Sequence, residues 1–514
     1  MGGRGVLDGA RGMIGYAILA AGCVTWAAID SLSAMNPDGV AYIRIAGYWL
    51  TGDLDRAING YWGPLLSWLI AAPLALHVPA QAAARAVMAA SGVFFACTGL
   101  AFVRVVVTGA LARAASAAVL LVIAVHFSVL TVTPDLLMAG WVLLAARGLA
   151  TASWRTDSRL QAAVGAALAL AYLSKAVALP ASITVLASYA VWCFWARRAA
   201  WRPAAFTALA LLILGAPWVA VISAHEHRLL FSTSGPINHA LVSPAGSGEH
   251  PFMERYYDVP PGRITTWEDP QSSDYKDWSP FASTQNLVMQ SRVALQNVPL
   301  ILSALRGFDL GLFSALAIAI GAIALVLRRR WVGPPEAVAI LTTAVFAGIY
   351  LPVYAGATRY FVVCAPLLMA MGFRAIDVAS ARLSWRLGAT VVLTLSCLGA
   401  TLPEAARALR GPATLALRDE TRAIVAALQS EPGAAGMAGA GRDGRPVLHA
   451  AFALGRPFDG FQPEATNSDG LLRSKAAFLV LVRPSAALLD AAGRLGTAVP
   501  VGRPDVAIIR LCRP

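Results

Sequence analysis

Two carboxylates stand where carboxylates are costly. Asp38 lies in Asn36-Pro37-Asp38-Gly39, a few residues beyond an apolar stretch from Met13 to Ile29, and Asp135 lies in Thr133-Pro134-Asp135 at the end of a later one. An acid this close to a bilayer needs a task or a partner. Two such acids on one face, each preceded by a helix-breaking proline, suggest a reaction centre. Each also stands where an acid caps a helix, so capping is the competing reading of both. A third cluster falls in a long polar stretch: His225-Glu226-His227, Asn238-His239, Glu249-His250, Trp267-Glu268-Asp269-Pro270 and Trp278-Ser279-Pro280. Trp267 and Trp278 beside Glu268 and Asp269 offer aromatic faces next to hydrogen-bonding groups, the chemistry that holds a sugar, with His239 close by. The duller reading is a loop folded over the membrane by its tryptophans. His225 and His227 with Glu249 or His250 could hold a divalent metal, although His-x-His alone has many decoys and no firm metal or cofactor assignment follows.

The elements that position these residues are membrane helices. The chain has 514 residues, 58% hydrophobic and 13% charged, against about 25% charged in average soluble domains. Eleven apolar spans can be read, at 13–29, 82–104, 114–132, 136–152, 160–174, 177–195, 204–223, 308–327, 337–353, 360–374 and 386–402. The net charge of +13 could point to nucleic acid, but most arginines fall in short connections between spans. Arg4 and Arg11, Arg104 and Arg113, Arg147, Arg155 and Arg159, Arg197, Arg198 and Arg202, Arg328 to Arg330, and Arg374, Arg382 and Arg386 then share one side. Positive charge retained in the cytoplasm places both acids outside. The apolar segment 64–77 is too short for a span and is expected to be interfacial or re-entrant. The helix following Asp38 is expected to lie along the surface, with Tyr42, Arg44 and Trp49 at the headgroups. Cysteines are scattered singly and show no disulfide or metal spacing.

The expected architecture is therefore a polytopic α-helical membrane protein. A transmembrane domain, 1–402, carries outer loops 30–81 and 224–307. A small extracytoplasmic α/β domain, 403–514, follows the composition change at Leu402-Pro403-Glu404. Within it, runs 477–482 and 506–511 read as strands, 419–429 and 485–494 as helices, and the Gly/Ala/Arg-rich stretch 433–445 as flexible. No convincing phosphate loop, dinucleotide fingerprint or Asp-x-Asp signal appears.

The order of these features resembles the GT-C membrane glycosyltransferases. The features are an early outer Asp38, a following amphipathic helix, Trp62-Gly-Pro-Leu-Leu-Ser-Trp68 and Pro134-Asp135. Tyr172-Leu-Ser-Lys175, Ala216-Pro-Trp218 and Thr358-Arg359-Tyr-Phe361 with Pro366-Leu-Leu368 continue the series. The nearest branch holds bacterial aminoarabinose transferases and protein O-mannosyltransferases, and the likeness covers roughly residues 10–400. It implies a GT-C-like fold and a sugar carried on a polyprenyl phosphate, transferred outside the membrane to a hydroxyl on a lipid, glycan or protein acceptor. It makes Asp38 the catalytic carboxylate and Asp135 the second acid. Cations must then meet a departing lipid phosphate. Lys175 and Arg359 stand on the outer side where cations are otherwise sparse, and Arg44 and Arg56 lie in the first loop. Snorkelling to headgroups is the other reading for these cations. The partners implied are the lipid-linked donor, the acceptor and membrane lipids, with no nucleic acid, in a bacterial inner membrane. The competing function is a membrane transporter or lipid flippase, which would place charges and broken helices near the bilayer midplane.

Overall fold

The computed structural model describes residues 9–30, 35–244, 246, 248–308, 332–353, 355–379, 383–410, 412–433, 435–463, 470–471 and 474–512. The chain is a multi-pass membrane protein with a small mixed sheet near its C-terminus. Helices Ala10–Asp30, Ala80–Val106, Ala110–Leu130, Asp135–Ala150, Ser158–Ser174, Ala178–Trp195, Trp201–His225, Pro334–Gly348, Cys364–Ala379 and Leu383–Arg410 stand where apolar spans were expected. Apart from Phe308, the remaining expected span, 308–327, lies outside the described residues. Among the described residues, six helices are long and apolar enough to cross a membrane, with mean hydropathy of 1.4 to 2.3 over their apolar windows. The segment read as interfacial forms a short helix, Pro64–Ala75.

Helix Pro37–Thr51 departs from expectation. It is more enclosed by protein than a surface-lying helix was expected to be. Val40, Tyr42, Ile43, Ile45 and Tyr48 are buried, and the Ser67 hydroxyl donates to the Tyr42 carbonyl at 3.1 Å. Its amphipathic pattern is real, but both helix Pro64–Ala75 and the turn Thr266–Glu268 pack against it. Its start is tied to the turn before Asp135, because the Asn36 side-chain oxygen accepts from Val132 N at 2.8 Å. Gly39 permits that approach, since a Cβ there would sit 3.0 Å from the Val132 side chain.

Helix Leu383–Arg410 continues through Pro403, so the composition change at Leu402-Pro403 falls inside a helix rather than on a linker. Beyond it, β1 (Gly436–Gly441), β2 (Phe458–Gln462), β3 (Ala476–Val482), β4 (Gly496–Val499) and β5 (Val506–Leu511) form a sheet of order β2-β1-β3-β5-β4. β1 is parallel to β2 and β3, and β5 is antiparallel to β3 and β4. The stretch expected to be flexible is thus a central, buried strand. Its small residues leave no alternating pattern to read, yet they allow tight packing on both faces. Gly439, Gly441 and Gly444 carry G-x-G-x-x-G spacing between β1 and helix Arg445–Leu454, but the chain itself occupies the space they leave. A Cβ would meet the Val482 carbonyl at 2.2 Å from Gly441, and the Phe461 ring at 3.1 Å from Gly439 and 2.7 Å from Gly444. These glycines serve packing rather than approach to a dinucleotide.

Candidate active site

Four residues from four distant parts of the chain meet at one pole of the helix bundle. Asp38 is in the first turn of its helix, where Asn36 holds the cap position. Asp135 is the first residue of its own helix, after Pro134. Neither carboxylate caps a helix end; both turn to cations. Arg359, in the short 3-10 turn Thr358–Phe361, bridges them, with Nη2 3.0 Å from Asp38 Oδ2 and Nε 3.4 Å from Asp135 Oδ2. Lys175 occupies the extended break between helices Ser158–Ser174 and Ala178–Trp195, and its Nζ lies 2.6 Å from Asp135 Oδ1. The Trp267 indole donates to the other oxygen of Asp38 at 3.1 Å. Local sequence explains the placement: each group sits at a helix end or break, where the backbone turns and a charge can leave the apolar interior.

Electrostatics follow from this geometry. Asp135 is 3% exposed, so removing either cation would leave a buried charge poorly compensated. Burial pulls the Lys175 pKa down from its ordinary value, with Asp135 opposing that shift. For Arg359, burial is outweighed by Asp38, Tyr360 and Asp135, and its pKa rises. Lys175 Nζ also lies 4.1 Å from the centre of the Tyr360 ring, and Tyr360 stacks on Tyr350 at 5.0 Å.

The cluster opens into a cavity of about 470 Å³ whose wall includes Asp38, Asp135, Lys175, Arg359 and Trp267. Aromatic groups that sequence reasoning did not assign to the site complete the wall: Tyr42, Tyr61, Trp62, Phe252, Tyr350 and Tyr360, with His250 and Asn238. His250 packs 4.2 Å from Trp267, ring centre to ring centre, and shares a 2.8 Å hydrogen bond with the Tyr275 hydroxyl. Burial, then the charge of Arg359, lowers the His250 pKa to about 3, so the ring is neutral. A larger cavity of about 640 Å³ borders Arg359 from elsewhere, with His126, Glu404, Arg407 and Arg445 in its wall. It contains neither Asp38 nor Asp135, so the paired acids face the smaller one.

Other expected residues lie apart from this cluster. Arg44 donates to the Gly262 carbonyl at 2.7 Å and lies 3.7 Å from Glu268. It is drawn to a buried acid and does not line the cavity. Glu268 is 1% exposed; it accepts from Tyr48 at 2.5 Å and from Ile264 N at 2.6 Å. Burial raises its pKa, with Arg44, Tyr48 and Arg263 opposing. Asp269 pairs with Arg263 at 2.7 Å. Trp278 stacks on His239 and donates to its carbonyl at 3.0 Å, and His239 bonds Gln290 at 2.7 Å. Glu268 and Asp269 therefore brace the loop, and His239 with Trp278 forms a separate stack. His225 meets Asp55 and Glu226 while His250 sits at Trp267, and among the described residues no group of three or more His, Cys, Asp or Glu could hold a metal.

The arrangement of helices followed by a C-terminal sheet is a fold found in solved structures. Two solved structures share it. ArnT from Cupriavidus metallidurans, bound to undecaprenyl phosphate, aligns over 98% of this chain and 98% of its own, with a TM-score of 0.59 and 15% identity. The oligosaccharyltransferase of Archaeoglobus fulgidus in its apo form aligns over 92% of this chain and 70% of its own, with a TM-score of 0.56 and 12% identity. No protein-family model and no curated protein sequence matches the chain.

Proposed function

We propose that the protein is an integral-membrane glycosyltransferase that moves a sugar from a polyprenyl-phosphate donor to a hydroxyl acceptor, with inversion, on the extracytoplasmic face of a bacterial inner membrane. One observation carries this reading: Arg359 ties Asp38 to Asp135 in a single cavity, with Lys175 on the far side of Asp135. On this reading a base and a phosphate-binding cation pair lie within reach of one sugar. The shared fold, found in a structure bound to undecaprenyl phosphate, agrees with such a donor.

The acceptor oxygen forms a bond to the anomeric carbon as the bond from that carbon to the phosphate oxygen breaks. The acceptor proton goes to Asp38, and the electron pair leaves with the lipid phosphate. Trp267 and Arg359 hold Asp38 in orientation, while leaving carboxylate lone pairs for a proton. Lys175 and Arg359 neutralise the departing phosphate, and in a partly dry site such preorganised charge counts for more than in water. A donor phosphate competes with Asp38 for Arg359, so donor binding itself frees the base. Asp135 keeps both cations in place. The aromatic wall suits the apolar faces of a sugar ring.

The transporter reading is weaker on a specific ground. The charged cluster lies at helix ends and one break, all at one pole, whereas transporters set such groups in discontinuous helices near the midplane.

The test is to incubate purified protein with radiolabelled polyprenyl-phosphate sugars and a membrane extract. Label moving to a new species supports the reading, with Asp38→Asn slower by about a thousandfold, or about 4 kcal/mol of barrier. Transfer at the wild-type rate by Asp38→Asn would overturn the assignment of the base.

A further inference from the structure

No residue beyond Tyr360 lines the cavity at Asp38, yet the C-terminal sheet reaches it through one continuous seam. β2 is an edge strand, and an edge strand offers unpaired backbone groups. Here the segment 255–264 of the loop carrying Trp267 covers that edge. Tyr256 pairs with Gly460 as an antiparallel bridge. Tyr257 N donates to the Asp459 carbonyl at 2.7 Å, and Phe458 N to the Ile264 carbonyl at 2.6 Å. The Tyr256 hydroxyl reaches across to the Gly439 carbonyl at 3.2 Å, and Lys475 pairs with Asp258 at 2.8 Å. Gly460 makes the approach feasible. Its φ is +105°, and a Cβ would lie 2.1 Å from the Arg255 carbonyl oxygen.

The seam continues to the reacting groups. Ile264, held by β2 through its carbonyl, gives its N–H to Glu268 Oε1 at 2.6 Å. Thr265 caps the turn Thr266–Glu268, and the next residue after Thr266 is Trp267, whose indole holds Asp38. The Trp267 carbonyl is fixed from the opposite side by the Trp62 indole at 3.0 Å. An indole position set by both ends of a short turn is sensitive to displacement at either end, and small displacements near a reacting group cost rate.

We propose that the C-terminal sheet is a positioning platform for the active-centre loop, with Gly460 as the positioning residue that docks segment 255–264 and thereby seats Trp267 against Asp38. The inference rests on the assignment of Asp38 to the transfer step. It gives the sheet a part in the reaction without contact with substrate.

The test uses the full-length protein in detergent and the label-transfer assay. In Gly460→Val, amide hydrogen exchange over residues 255–268 is expected to speed up. Turnover should fall at least tenfold, while the donor KM stays within about twofold because Lys175 and Arg359 are untouched. Trp267→Phe should also slow turnover, and the double variant should be no slower than the slower single, since both act through the same indole. Tyr256→Phe removes one hydroxyl from the seam. It is expected to slow turnover about threefold with the same non-additivity, and it stands in if Gly460→Val does not fold. Independent, multiplying losses, or faster exchange with wild-type turnover, would overturn the platform and leave the Asp38 assignment intact. Unchanged exchange in Gly460→Val would overturn it too. Asp38→Asn should be inactive with normal loop exchange; wild-type turnover there would remove the functional reading and the inference together.

Discussion

At the scale of single residues, cation placement separates substrate contact from scaffolding. Lys175 and Arg359 face the cavity and each other's carboxylate partner, whereas Arg44 is spent on Glu268 and the Gly262 carbonyl. Lys175→Ala and Arg359→Ala are each expected to raise the donor KM at least tenfold, about 1.4 kcal/mol of binding, in a donor titration at fixed acceptor. Arg44→Ala should instead lower the melting temperature, because a buried Glu268 loses a compensating charge, and leave the donor KM near the wild-type value. A severe donor defect in Arg44→Ala with normal Lys175→Ala and Arg359→Ala would move the phosphate site to the first loop. Asp38 and Asp135 could be picked from the sequence because each follows a proline beside an apolar run, and Lys175 and Arg359 because cations are otherwise sparse on that side. Nothing local to Arg44 distinguishes it from them. Its fate is decided by Glu268, far along the chain and brought to it only by folding.

At the scale of elements, the site is a junction of helix ends roofed by a loop, and the roof is the part least legible in advance. Tyr61 and Trp62 stand in plain view before Gly63-Pro64. What makes them wall residues is a close approach that no periodicity encodes: a Cβ on Gly63 would lie 2.4 Å from the Ser174 carbonyl oxygen, next to Lys175. Helix Pro37–Thr51 shows the same limit from the other direction. Its amphipathic pattern was readable, but whether lipid or protein covers the apolar face depends on the loop that returns over it. The roof also carries a prediction. His250 is neutral in the folded protein, its pKa brought from 6.5 to about 3 by burial and then by Arg359. The unfolded chain therefore binds more protons between those values, and stability is full above pH 6.5 and lost as pH falls through that window. At pH 5 this term reaches at most about 2 kcal/mol. As pH drops from 7 to 5 the wild type should lose melting temperature relative to His250→Gln, whatever their offset at neutral pH. A constant offset across that range would mean that His250 takes up a proton as readily in the folded protein as in the unfolded chain.

At the scale of the whole molecule, the two poles differ in charge, and that difference orients the protein. Basic connections meet at one pole: Thr108 bonds Asp377 at 3.3 Å, Arg386 pairs with Asp377 at 2.5 Å, and Arg374 pairs with Glu336 at 3.1 Å. Helix Ala110–Leu130 starts at that pole and ends at the turn before Asp135, a distance of about 30 Å at 1.5 Å per residue. The acids and the sugar-sized cavity are thus roughly a hydrocarbon thickness from the arginine-rich connections. On the proposed orientation, retention of positive charge in the cytoplasm would put Asp38 on the opposite side, where a lipid-linked donor would present its sugar. The arginine pattern was legible from the sequence alone because it is a property of loops, not of packing. The test replaces the exposed Cys512 with serine and introduces one new cysteine at a time, Lys276→Cys in the loop near Asp38 or Thr156→Cys in a basic connection. Lys276→Cys should react with a membrane-impermeant thiol reagent in intact cells, and Thr156→Cys only after the membrane is opened. The reverse pattern would put the cavity in the cytoplasm, where nucleotide-linked donors are made, and would require a different donor for the same cluster of Asp38, Asp135, Lys175 and Arg359.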